Sequence, residues 1–204
     1  TIGDSFPIFF GANGWSFKEP GEYRIVAKLK VPAKEGYSVF TSEPALIKVA
    51  SSKAGQALFS ADNRSSIEAG KFLLWRSGDH LEAGINYLTN LSKNFPDSAL
   101  SSYVSAALAN SYSEPFANYI AKEVRAPMCR KANAIREKIK TDVLADNLLI
   151  EDYISQAKCH AENKNWRKAK IALDAGFELA EARPEFKAYL ESIKEMQKRL
   201  AEMI

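Results

Sequence analysis

Histidine and cysteine are scarce in this chain, with two of each among 204 residues. Cys129 and Cys159 have no CxxC spacing, which excludes a zinc ribbon or a thioredoxin-type motif. Two separate thiols are the expected state, because a disulfide needs a specific geometry; one Cys129–Cys159 bond is the alternative. There is no glycine-rich phosphate loop, no GxSxG and no HExxH. His160 follows Cys159 directly, but neighbours on a helix point about 100° apart and cannot pair as nucleophile and base. Cys129 meeting His80 or His160 across the fold is the one remaining route to such a pair. Asp79-His80-x-Glu82 has metal-ligand residue types, yet Asp79 reads better as a helix cap and Glu82 as a first-turn acid. The expectation is therefore no enzyme, no catalytic residue, no metal and no cofactor.

Strong charge and long apolar runs are also missing. A formal net charge of +3 does not announce a nucleic-acid binder, and no run reaches the ~18 apolar residues of a membrane span. The chain opens on Thr1 with neither Met nor a leader-like segment. This is read as an excised piece of a longer polypeptide. Apolar residues at 46% and charged ones at 26% are those of an ordinary globular protein.

Residues 1–50 have their own texture. Pro7-Ile8-Phe9-Phe10, the turn signal Gly11-Ala12-Asn13-Gly14 and the run Trp15 to Phe17 read as short strands about a turn. Tyr23, Ile25, Ala27, Leu29 and Val31 then alternate with Arg24, Lys28 and Lys30, with Val26 the apolar exception. Period two with one polar face predicts a half-buried antiparallel strand. Tyr37–Thr41 and Pro44–Val49 read as the returning strand, bent or bulged near Ser42-Glu43-Pro44.

Glu19-Pro20-Gly21-Glu22-Tyr23-Arg24-Ile25 resembles the acidic-x-Gly-x-Tyr-x-Cys signature at the tyrosine corner of immunoglobulin-like sandwiches. The resemblance implies that the Tyr23 hydroxyl bonds back to backbone just before its strand. Ile25 stands where antibody domains place a cysteine, which removes the disulfide version. Some seven strands complete such a sandwich, and only four or five are countable, so these would be its last strands. An unrelated β-meander with a Pro-Gly turn is the alternative.

Ala50–Asn63 is a linker rich in small residues, with one helical turn at Gln56–Phe59 and the domain boundary near residue 51. A helix is predicted over Ser65–Arg76. Leu81, Ile85, Leu88 and Leu91 then share one helix face. Pro96 ends that run, and Asp97 or Ser98 can cap a second helix carrying Leu100, Tyr103, Val104, Ala107, Leu108 and Tyr112. So short a corner makes the two antiparallel. Short helices are expected at Glu114–Val124, on Phe116, Ile120 and Val124, and at Lys131–Val143, the latter peripheral because only Ile135, Ile139 and Val143 are apolar.

Ile150, Tyr153, Ile154 and Ala157 mark one helix; Trp166, Ala169, Leu173, Gly176, Phe177 and Ala180 mark the next. This pair resembles a tetratricopeptide repeat, a helix-turn-helix unit of about 34 residues. Tyr153 falls at the family's Trp position, Ala157 at its first small residue, Trp166 at the aromatic opening the second helix, Ala169 at the following Ala and Gly176 at the late small residue. Gly78, Ala83 and Tyr87 fit the same template; His160, Lys71 and the late Pro184 depart from it. The resemblance implies recognition of a peptide or protein between helices. Tyr189, Ile193, Met196, Leu200 and Met203 form a closing seam, which covers the last helix pair or, alternatively, makes a homodimer contact.

One basic stretch stands out. Lys122, Arg125, Arg130, Lys131, Arg136, Lys138 and Lys140 face only Glu123 and Glu137 between residues 122 and 140. This patch is the candidate for an acidic partner, an anionic glycan or a phosphate backbone; with no interleaved aromatic to stack on bases, nucleic acid is not the expected partner. The alternative is a solvated helix and loop. The expected architecture is α+β: an antiparallel part over 1–51 and a helical repeat-like domain over 52–204. The expected role is a non-catalytic protein- or peptide-binding or scaffolding segment of a larger, extracytoplasmic protein (secreted, periplasmic or cell-surface). An accessory region of a secreted enzyme is the first alternative, and a polyanion or nucleic-acid binder the second.

Overall fold

The alternation read from Tyr23 to Val31 builds a long antiparallel ribbon in the computed structural model, which describes residues 9–11, 14–60, 62–118 and 122–203. A small hairpin precedes it, β1 (Phe10–Gly11) against β2 (Gly14–Trp15). Pro7, Ile8, Ala12 and Asn13 of the sequence reading lie outside the described residues. The ribbon pairs β3 (Gly21–Ile25) with β6 (Ala45–Val49) and β4 (Lys28–Pro32) with β5 (Tyr37–Thr41). Ile25 faces Ala45 and Lys28 faces Thr41, so Val26 and Ala27 oppose the three residues Ser42, Glu43 and Pro44. That is a β-bulge, placed where Pro44 has no N–H to give. Ser42 Oγ accepts from the Ala27 N–H at 3.0 Å and closes the gap.

The Tyr23 hydroxyl donates to the Glu19 carbonyl at 2.7 Å, as the corner resemblance implies. Phe17 packs edge-on against Tyr23, with centroids 4.9 Å apart. Beyond the bulge the apolar face stays open. Leu29 and Phe40 pair across the strands yet are 63% and 61% exposed. Among the described residues the ribbon is two-stranded and no second sheet packs on it.

The helices follow: α1 (Lys53–Phe59), α2 (Asn63–Trp75), α3 (Glu82–Asn94) and α4 (Ala99–Ser113), then α5 (Cys129–Arg136), α6 (Asp146–Glu162), α7 (Trp166–Glu181) and α8 (Lys187–Ala201). The fold is α+β, with short antiparallel strands first and a helical region after them. Ser52, Asp62, Ser98 and Asn165 cap α1, α2, α4 and α7, each accepting from a first-turn N–H. No described helix is long and apolar enough to cross a membrane. Phe72, Leu88 and Val104 centre one core under α1–α4; Ile150, Leu173 and Ile193 centre a second under α6–α8. Tyr189, Ile193, Met196 and Leu200 of the closing seam pack into that second core, while Met203 is exposed. β1 and β2 belong to the helical side: Trp15 Nε1 donates to Ser66 Oγ at 2.9 Å, and the Phe10 ring lies over Gly70.

Four expectations change. The stretch read as a helix over Glu114–Val124 is a hairpin, β7 (Phe116–Asn118) against β8 (Glu123–Arg125), with Ile120 outside the described residues. Pro115 stops α4, Lys122 takes a left-handed turn at φ 55°, and Arg125 is drawn back to Asp79, which holds the second strand extended. The helix read over Lys131–Val143 is α5 and then a 3-10 turn at Thr141–Val143. Far from peripheral, α5 buries Cys129, Ala132 and Arg136. Asp79 caps nothing, since Leu81 opens α3 without a side-chain bond. The thiols are not separate: Cys129 and Cys159 form a disulfide.

Helices α2 and α3 cross very closely at Gly84. A Cβ there would lie 2.3 Å from the Ala69 nitrogen and 2.4 Å from the Glu68 carbonyl carbon, both backbone. Glu68 also accepts from the Gly84 N–H at 3.2 Å. Helix propensity favours Ala over Gly by about 1 kcal/mol. The clash wins, because backbone cannot rotate aside as a side chain can. Gly84→Ala is expected to cost roughly 2 kcal/mol net, as overpacking does, read as a lower urea midpoint; an unchanged midpoint would disprove the close crossing.

Candidate functional site

The two cores meet at a cleft whose floor is polar. Arg76 reaches it from the left-handed C-cap of α2, at φ 50°, with its N–H bonded to the Phe72 carbonyl at 2.7 Å. From there its guanidinium meets Glu151 of α6 as an ion pair, and Nη1 lies against the carboxylate without an aligned hydrogen bond. Tyr189 of α8 donates to the other Glu151 oxygen at 2.5 Å. Burial pulls the Arg76 guanidinium below its ordinary range, and Tyr189 opposes that shift. Asn110 projects from the last turn of α4, and its buried Oδ1 accepts no hydrogen bond among the described residues. A buried acceptor left empty costs ~1–3 kcal/mol, so this atom has a use for a donor.

Arg76, Asn110 and Glu151 line two chambers. One, of about 500 Å³, is walled mainly by apolar groups, among them Trp15, Leu58, Leu73, Leu74, Tyr103 and Leu148. The other, of about 520 Å³, is polar, with Ser111, Glu114, Ser155, Lys158 and Ser192; Trp75, 56% exposed, stands at its wall. Apolar walls with a few convergent polar atoms, at this size, make the usual form of a ligand site.

The seven cations of the basic stretch have separate fates. Arg136 is buried, with Nε donating to Asp152 Oδ1 at 2.8 Å and its other nitrogens to Asn133, Ser113 and Ser155. Arg125 is bidentate to Asp79 and also donates to the carbonyls of Ser111, Glu114 and Ala126. Lys140 pairs with Asp97 at 2.7 Å. Lys131 sits over the Tyr112 ring, 3.8 Å from its centroid. Lys122, Arg130 and Lys138 are exposed. Two of the seven therefore hold elements together, Arg136 buried and Arg125 half-buried, and five face solvent.

His80 stacks on Phe116 at 5.9 Å. His160 is held below its ordinary pKa by burial, with Lys168 and Arg136 adding to the shift. Both sulfurs are spent on each other, so neither histidine has a thiol to activate. Among the described residues no group of three or more His, Cys, Asp and Glu could hold a metal ion.

Sequence reading missed Arg76, Asn110, Glu151 and Tyr189. They stand roughly forty residues apart and share no motif. The only local sign is an Arg at a C-cap, where Gly is usual, and an Asn within an Ala-Ser-rich helix. Comparison of the chain with protein-family models, with curated proteins and with solved structures finds no match.

Proposed function

We propose that this chain is a non-catalytic binding segment of a larger extracytoplasmic protein, taking a peptide or a protein tail in the cleft between its helical cores. The observation that carries the reading is the unfilled Asn110 acceptor beside Arg76 and Glu151, under an apolar chamber. A peptide group brings an N–H for Asn110, and its apolar side chain fills the chamber. On this reading α6 and α7 are a degenerate tetratricopeptide-like unit. Gly176 supports it: a Cβ there would lie 3.3 Å from that of Tyr153, so the helices cross where the family needs small residues. The ribbon would be the last strands of an immunoglobulin-like sandwich. The Cys129–Cys159 bond favours an oxidising compartment, hence the extracytoplasmic placement.

The test is selection from a random peptide display library against the folded chain, followed by fluorescence polarisation. Peptides should be enriched, and the double variant Leu74→Glu/Leu148→Glu, placed on the half-buried chamber wall, should weaken them about tenfold or more with its melting curve unchanged. Enrichment of nothing, or of peptides that bind the variant equally well, would overturn the proposal.

A further inference from the structure

A second groove, of about 590 Å³, lies between α3, α4 and α5. It shares no lining residue with the cleft. On α4 it takes Ser101, Ser105, Leu108 and Tyr112, spaced by four, three and four; the apolar chamber of the cleft takes Leu100, Tyr103, Ala106, Ala107 and Asn110. At 3.6 residues per turn these are opposite faces of one helix. The groove therefore stands or falls apart from the reading of the cleft.

Its charge is of one sign. Lys93, Lys131 and Lys138 line it, and among the described residues no acidic one does. None of the three is in an ion pair among the described residues. The floor is hydroxyl-rich, with Ser92 Oγ and Ser101 Oγ 2.6 Å apart, while Ile85, Leu108 and Ile135 supply an apolar strip. We infer that this groove binds an acidic peptide segment, one that carries carboxylates at intervals with apolar side chains between them.

Spacing and surface chemistry choose that ligand over its rivals. Lys131 and Lys138 are seven residues apart along and just past α5, roughly 10 Å at the helical rise. That spacing matches carboxylates three residues apart on a polyproline II-like segment, where three residues make one turn of about 9 Å and both side chains share a face. A single-stranded nucleic acid would stack its bases on a bare aromatic face. The one aromatic among the described lining residues, Tyr112, already carries Lys131 at 3.8 Å and the Arg125 guanidinium at 5.5 Å from its ring centroid. An apolar strip likewise has nothing to offer a sugar-phosphate chain.

The experiment uses the full chain and a fluorescein-labelled ten-residue peptide with Glu at every third position and Leu or Ala between. Polarisation is read at two salt concentrations, with a Gln-for-Glu peptide, a single-stranded decanucleotide and inorganic phosphate as competitors. The Glu peptide should bind, weaken with salt and outcompete the other three. Lys138→Glu should weaken it about fivefold or more, and Lys93→Glu/Lys138→Glu further still; both leave the Lys131–Tyr112 contact in place. Lys187→Glu, on the exposed first turn of α8, should change nothing. Equal binding of the Gln peptide, indifference to charge reversal, or stronger competition by the oligonucleotide or phosphate would each overturn the inference.

Discussion

Asp152→Ala is expected to destabilise the protein by about 3–5 kcal/mol, because it strands a cation in the interior. Arg136 and Asp152 are both buried, and α5 is joined to α6 through their 2.8 Å contact. Without the carboxylate, the guanidinium keeps only the neutral oxygens of Asn133, Ser113 and Ser155. The melting temperature should fall by roughly 10 °C for a chain of this size. The paired change Arg136→Met/Asp152→Leu removes both charges together. It should cost far less than the single change, since desolvation of the two ions disappears with their attraction. A paired variant as unstable as Asp152→Ala would show that the charges are not what the site rests on.

The same pair has a sign in pH. Burial raises Asp152 above the ordinary carboxylate range, more than Arg136 lowers it. A raised folded-state value means the folded chain holds this proton more tightly than the unfolded one. The contribution is therefore fully present below the unfolded value of about 3.8 and is lost as pH rises through the higher folded value. Asp152→Asn, which copies the protonated carboxyl, should accordingly be milder than Asp152→Ala. Asp97 runs the other way: its hydrogen bond and ion pair with Lys140 lower it, so its contribution fades as the solution is acidified.

Removing the Cys129–Cys159 bond should cost about 3–4 kcal/mol, by reduction or as Cys129→Ala/Cys159→Ala. The bond closes a loop of 30 residues, and the loss is the closure entropy returned to the unfolded chain. Unfolding with and without reductant measures it directly, and no shift would mean the bond is absent in solution. Combined with Asp152→Ala, the two losses should nearly add, because the bond acts on the unfolded chain and the ion pair on the folded one.

Helices and strands were legible wherever the chain repeats at a fixed local period. The two-residue alternation around Tyr23, the four-and-three spacing from Leu81 to Leu91 and the Pro96 corner need only neighbouring residues to express themselves. Even the bulge was readable, because a proline within a strand leaves few other arrangements. The misreadings fall where short runs met a distant partner. Phe116, Ile120 and Val124 carry a helical spacing, but Arg125 is held by Asp79, 46 residues earlier, and an extended strand results. Arg136 reads as one more surface cation until Asp152, Ser113 and Ser155 surround it.

Composition and periodicity were thus enough to assign the α+β order of the elements and the apolar face of most of them. They could not assign partners. Arg76 with Glu151, Asn110 beside them, Cys129 with Cys159 and Lys93 near Lys131 are each brought together by how the helices pack. Hydrogen bonds and charges act over a few ångströms, and packing alone decides which distant side chains come that close.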